Sequence, residues 1–145
     1  MALPPLSDDA VLLGADAVDW RAAVRLAGQA LTAAGAAKAG YADEMIRMIE
    51  EHGPYVVIAP GLALAHARPG PEVLADGLAV VTLARGVAFG HPHNDPVSVV
   101  IAVASASASE HLAAVAAIAN VFNDETSVAR LEAATSVEDV RLALG

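Results

Sequence analysis

Four short runs in the middle of the chain carry apolar side chains on consecutive positions, with no polar face between them. They are Tyr55–Ala59, Leu62–Ala65, Gly77–Leu83 and Val97–Ala104. Runs of this length, rich in β-branched residues and apolar on both faces, read as buried strands. A strand that is apolar on both sides needs cover on both sides. The segments before and after these runs supply it. Trp20, Val24, Ala27 and Leu31 recur at helical spacing, with Asp16 as the expected N-cap, Asp19 in the first turn and Gly35 as the stop. A second helix is expected from about Ala42 to His52, with Tyr41, Met45, Met48 and Ile49 inward and Gly53-Pro54 ending it.

The last third is helical as well. Ser107 and Glu110 form a capping box, so a helix starts near Ala108, with Leu112, Val115, Ile118, Ala119 and Phe122 as its buried stripe. Asp124 is expected to begin another helix carrying Val128 and Leu131, and Ser136 with Asp139 caps a final one with Val137, Val140 and Leu144. Residues 1–15 read as an irregular or short extended lead-in. Helices bracketing a small buried sheet give a three-layer α/β domain. No internal repeat or linker interrupts it, so residues 1–145 are expected to form a single domain.

Composition narrows the function classes. The 145 residues are 56% hydrophobic, but alanine supplies much of that and aromatics only 3%, so the core must pack its elements closely with small side chains. The formal net charge of -9 and the absence of a basic tract argue against nucleic-acid binding and suit a basic protein partner. There is no cysteine, which excludes disulfides, thiolate metal sites and a cysteine nucleophile. No apolar run approaches the ~18 residues of a membrane span, and the N-terminus lacks the positive and apolar regions of a signal peptide. A cytoplasmic protein is expected.

The five histidines are the groups whose ordinary titration lies near neutral pH. His66 closes a run of small and apolar residues and is followed by Ala67-Arg68-Pro69-Gly70. A histidine at a strand end is held by its surroundings while the turn after it leaves the ring open. Neutral imidazole is nucleophilic and can carry a group if another side chain orients its second nitrogen. Arg68 supplies a cation suited to a phosphoryl group. His111 lies in the first turn of the capped helix, where free N–H groups and the dipole favour an anion. If that helix end faces His66, the two rings make a phosphoryl site. The bland alternatives are a structural His66 and a solvated His111. His91 and His93 have the spacing of a metal-ligand pair that Asp95 would extend, although zinc needs three or four convergent ligands and a solvated loop accounts for the same residues. His52 complements a helix C-terminus, Gly61 and Gly70 serve turns, and Trp20 belongs to the core.

The string Gly61-Leu-Ala-Leu-Ala-His66-Ala-Arg-Pro resembles the active-site motif of the type-2 (mannitol/fructose-type) enzyme IIA domains of the bacterial phosphotransferase system. Gly53–Gly61, Asn94–Val97, Asp19–Gly28 and Glu110-His111-Leu112 resemble its ascorbate-specific branch, so the likeness covers nearly the whole chain. It implies a mixed sheet between helices and a phosphotransferase. The basic phosphocarrier HPr would phosphorylate His66. His66 would pass the group to a cysteine of a cognate IIB protein, which phosphorylates sugar entering through the IIC membrane component. His111 would assist, and no metal or organic cofactor is implied. L-ascorbate is the implied substrate, with another sugar acid or pentose-like sugar as the alternative. Two further readings compete: a regulatory relative that is phosphorylated but feeds no transporter, and a metal- or ligand-binding module on His91, His93 and Asp95. Alanine-rich helix faces leave a homodimer open.

Two positions depart from the family pattern. Ala65 stands where relatives have proline before the active histidine; losing that fixed φ predicts a looser approach to His66. Mannitol-type members also place a phosphoryl-binding arginine near the end of the second helix, where this chain has Ile49-Glu50-Glu51, so that role is either vacant or falls to Arg68 or Arg47.

Overall fold

The computed structural model describes residues 3–145. Its centre is a five-stranded mixed sheet built from β1 (Val11–Ala15), β2 (Val57–Ala59), β3 (Leu62–His66), β4 (Gly77–Val87) and β5 (Val97–Ala104), in the order β1-β4-β5-β3-β2. β1 runs parallel to β4 and β3 parallel to β5, while the β4–β5 and β2–β3 pairs are antiparallel. α1 (Trp20–Ala33) and α2 (Tyr41–His52) precede β2; α3 (Ala108–Val121), α4 (Ser127–Glu132) and α5 (Val137–Leu144) follow β5. The three-layer α/β arrangement and the mixed sheet are those expected.

Period-two alternation divides the core in two. Ala63, Ala65, Ala67, Ala79, Val81, Val100, Ala102 and Ala104 lie in one cluster with α1 and α2. Leu62, Leu64, Leu78, Val80, Val99, Ile101 and Val103 lie in the other with α3, α4 and α5. The first face is built mostly of alanine, and its helices come very close. A Cβ added to Gly28 would lie 2.5 Å from the Ala42 Cβ, and one added to Gly77 2.5 Å from that of Ala36.

Several boundaries differ from the expected ones. The α1 cap is Asp19, whose Oδ1 accepts the Ala22 N–H at 2.8 Å, in place of Asp16. Two nearby aspartates are equally able to cap; burial of Ala23, Val24, Ala27 and Leu31 sets the helix start. The lead-in contains a short 3-10 turn (Asp8–Ala10) and the edge strand β1. The run Tyr55–Ala59 keeps only Val57–Ala59 as strand, because Val57 N–H closes a turn onto the Pro54 carbonyl. It is also an edge, with Tyr55 and Ile58 each 42% exposed, so the expectation of a strand buried on both faces fails there. β4 runs on to Val87, which pairs with Val97, and so extends beyond the expected end of the run at Leu83.

In α3 the cap is as read, Ser107 Oγ accepting the Glu110 N–H, but Leu112 is 73% exposed and Ala119 is also exposed. The buried stripe is Ala114, Ala117 and Ile118, rotated from the expected one. In so alanine-rich a helix the apolar pattern marks no single face, and tertiary packing chooses. Asp124 precedes α4 instead of starting it: its carboxylate accepts the Thr126 N–H and hydroxyl in a local turn. Trp20 is half-buried, its ring 5.9 Å from that of Phe89 with the Arg21 guanidinium 4.3 Å above it.

Candidate functional site

The β3–β5 ladder ends at His66↔Val103. Alternation along β3 puts His66 on the face of Leu62 and Leu64, the side covered by α3. There it meets His111, in the first turn of α3, with ring centroids 5.1 Å apart and planes inclined by 50°. Tyr55 stands edge-on to His66 at 5.7 Å and 86°, and His52, the last residue of α2, stands edge-on to Tyr55 at 6.2 Å. These four rings border a cleft of about 380 Å³ with Met48 and Arg68. Arg68 is exposed and enters no ion pair among the described residues, which leaves its guanidinium free for an anion. Arg47 lies outside this cleft, in a neighbouring hollow shared with Arg68, Glu44 and Glu51.

A hydrogen-bond partner assigns the tautomer of the His66 ring. His66 Nδ1 is 2.9 Å from the Leu64 carbonyl. A carbonyl only accepts, so Nδ1 carries the proton and Nε2 keeps its lone pair. His111 Nδ1 is buried with no partner. With Nδ1 enclosed, a hydrogen bond from this ring to an anion in the cleft requires the proton on Nε2. His66 thus offers a nucleophilic nitrogen, and His111 in its Nε2–H form offers a donor. Burial is the main influence on both and holds each below the ordinary histidine pKa. For His66 the Leu64 bond opposes this effect and His111 adds to it. Neutral rings at pH 7 are what nucleophilic attack needs.

The His91–Pro96 loop has a different occupation. His91 Nδ1 accepts the N–H groups of His93 and Asn94, and the Asp95 carboxylate accepts those of Phe89, Gly90 and His91. The loop in turn holds the start of β3, because Gly61 N–H donates to the Asn94 carbonyl. Among the described residues, no group of three or more His, Cys, Asp or Glu side chains is placed to hold a metal ion.

Two residues at the site were read from sequence only as core or strand. Tyr55 borders the cleft. Tyr41, fully buried at the start of α2, reaches under the strand end with its hydroxyl 2.7 Å from the Val103 carbonyl and 3.0 Å from the Ala67 amide nitrogen. The available signal was a tyrosine, not a phenylalanine, at an inward position: a buried phenol needs polar partners.

Residues 5–144 match the family model described as "Phosphoenolpyruvate-dependent sugar phosphotransferase system, EIIA 2". The chain is 37% identical over 131 residues to the ascorbate-specific PTS system EIIA component of Shigella boydii, covering 90% of this chain and 85% of that protein. The corresponding protein of Escherichia coli K12 is equally similar, with the same coverage. Among solved structures, the mannitol IIA of Escherichia coli superposes with a TM-score of 0.85 at 26% identity, covering 97% of this chain and 99% of that one. A complex of the same organism's mannitol IIA with phosphorylated IIB matches with a TM-score of 0.84, also at 26% identity, over 97% and 96% of the two chains. Fold, facing imidazoles and sequence likeness agree, and the chain belongs to the type-2 EIIA family of the phosphoenolpyruvate-dependent sugar phosphotransferase system.

Proposed function

We propose that His66 is the residue that takes up the phosphoryl group, received from phospho-HPr and handed to a cysteine of a cognate IIB protein. The facing of His111 onto a His66 ring whose Nδ1 is tied to the Leu64 carbonyl and whose Nε2 keeps its lone pair supports this most directly. His66 Nε2 attacks the donor's phosphorus. The donor's P–N bond breaks and its electron pair returns to the donor imidazole. The new phosphoimidazole keeps its Nδ1 proton on the Leu64 carbonyl, which steadies the ring's positive charge. His111 Nε2–H and the Arg68 guanidinium face the phosphoryl oxygens, so positioning and charge stabilisation do the catalysis. The IIB thiolate then attacks phosphorus, and the P–N electron pair returns to His66. Arg68 takes the phosphoryl-binding role because Arg47 lies outside the cleft.

The names of the relatives support L-ascorbate as the sugar whose IIC permease this relay feeds. Work in the cytoplasm agrees with the partners and with the described helices, none of which is long and apolar enough to cross a membrane.

The test is labelling with phosphoenolpyruvate, enzyme I and HPr, followed by addition of ascorbate-type or mannitol-type IIB. An acid-labile label on His66 that passes preferentially to the ascorbate-type IIB is expected, with His66→Ala unlabelled but folded. A label that persists in His66→Ala defeats the assignment.

A further inference from the structure

We propose that Tyr41 is a positioning residue for phosphoryl transfer, its phenol acting as an added rung that locks the strand end carrying His66. This rests on His66 as the acceptor. Leu64 N–H points away from β5, donating to the Val56 carbonyl, so alternation turns the amides of Ala65 and Ala67 toward β5. The paired register stops at His66↔Val103, yet the next amide is not left alone. Ala67 N–H donates to the Tyr41 hydroxyl at 3.0 Å. The hydroxyl donates to the Val103 carbonyl at 2.7 Å, with the Ala67 carbonyl beside it at 3.2 Å. The phenol is fully buried, and burial pushes its pKa up to about 12, so it stays a neutral hydroxyl that can accept and donate at once.

The consequence for chemistry is geometric. His66 lies between two fixed points: its ring is tied to the Leu64 carbonyl, and the following peptide is tied through Tyr41 to β5. Ala65 itself is buried within β3 and paired with Ala102. The looser approach expected from the missing proline is therefore not what the structure shows; cross-strand pairing and the phenol hold the segment. The clamp comes from α2, on the opposite face of the sheet from His111, and touches no reacting atom.

The experiment compares Tyr41→Phe with the parent in steady-state transfer from phospho-HPr, below both melting temperatures, with the His66 imidazole ¹⁵N resonances recorded in parallel. A displacement of the acceptor ring predicts a roughly ten-fold fall in kcat, KM for phospho-HPr within about two-fold, and a shifted or broadened His66 Nδ1 signal. An unchanged kcat with only a lower melting temperature overturns the proposal and leaves Tyr41 as a core support. Labelling of His66→Ala, run alongside, separates failure of the acceptor assignment from failure of the clamp. If Tyr41→Phe does not fold, hydrogen exchange in the parent decides. The Ala67 amide should be protected to within about ten-fold of the Ala65 amide, and exchange as fast as an open loop excludes the rung.

Discussion

The two faces of the sheet are built from different side chains and do different work. Toward α1 and α2 the strands present mainly alanine, and Gly28 and Gly77 let backbone come close to backbone. Toward α3, α4 and α5 they present leucine, isoleucine and valine, which fill that side with larger side chains. The proposed phosphoryl site stands at the end of the second face, where His66 follows Leu62 and Leu64 in alternation and meets His111. The support comes through the first, where Tyr41 holds the backbone beyond His66. A closely packed face transmits small shifts poorly tolerated by its neighbours. It therefore makes a firm back for His66, which the proposed transfer requires to be closely positioned against an incoming phosphorus.

This contrast can be broken by substitutions of opposite sense. Ile101→Ala, on the branched face, leaves a cavity and is expected to lower unfolding stability by about 2–5 kcal/mol. Gly28→Ala, on the close-packed face, adds a single methyl where the Ala42 Cβ already stands 2.5 Å away and should cost about 1–3 kcal/mol. Chemical denaturation of both variants checks this, and a Gly28→Ala protein as stable as its parent would show that α1 and α2 are free to move apart.

A smaller and purely functional effect is expected from His111→Ala. In the proposed relay its ring supplies an N–H to the phosphoryl group but not the attacking nitrogen, so transfer should slow by roughly ten- to a hundred-fold without stopping. Rapid-quench phosphorylation by phospho-HPr measures it, and an equal rate in parent and variant would reduce His111 to a surface residue.

The pH dependence should be the mildest signature. Burial holds both His66 and His111 below the ordinary histidine value of 6.5. As pH falls, the unfolded chain therefore takes up protons before the folded one. The stability these rings contribute is whole above the unfolded pKa and is lost as pH falls through their folded values. Melting temperature should drop as pH falls below the ordinary histidine value of 6.5, with a shallower slope in the His66→Ala, His111→Ala double variant. Phosphorylation of the parent should hold up somewhat below pH 6.5, because His66 stays neutral there.

Much of this was open to reading along the chain. The strands of the middle third, the helices on either side, the Ser107 and Ser136 caps and the placing of His66 at a strand end and His111 in a helix's first turn all follow from local patterns: β-branched apolar runs, helical spacing, and capping chemistry. Such signals depend on a few neighbouring residues and survive without knowledge of the rest. The parts that misled were those with no local asymmetry to read. α3 is so rich in alanine that its inward face, and the exposure of Leu112, depend on what it packs against. Tyr55–Ala59 has the composition of a central strand and lies at an edge. Asp16 and Asp19 were chemically equal candidates for one cap.

By itself the sequence determined that a small apolar sheet would be covered on both sides, and that a histidine would end one of its strands. Tertiary structure alone decided that β3 pairs with β5 in the register His66↔Val103, that the α3 first turn brings the His111 ring to 5.1 Å from the His66 ring, centroid to centroid, and that a tyrosine from α2 closes the ladder behind it. The reason is physical. Strand order and helix placement are set by how two whole faces bury their surfaces, a sum over residues far apart in the chain, and no window of neighbouring residues contains that sum.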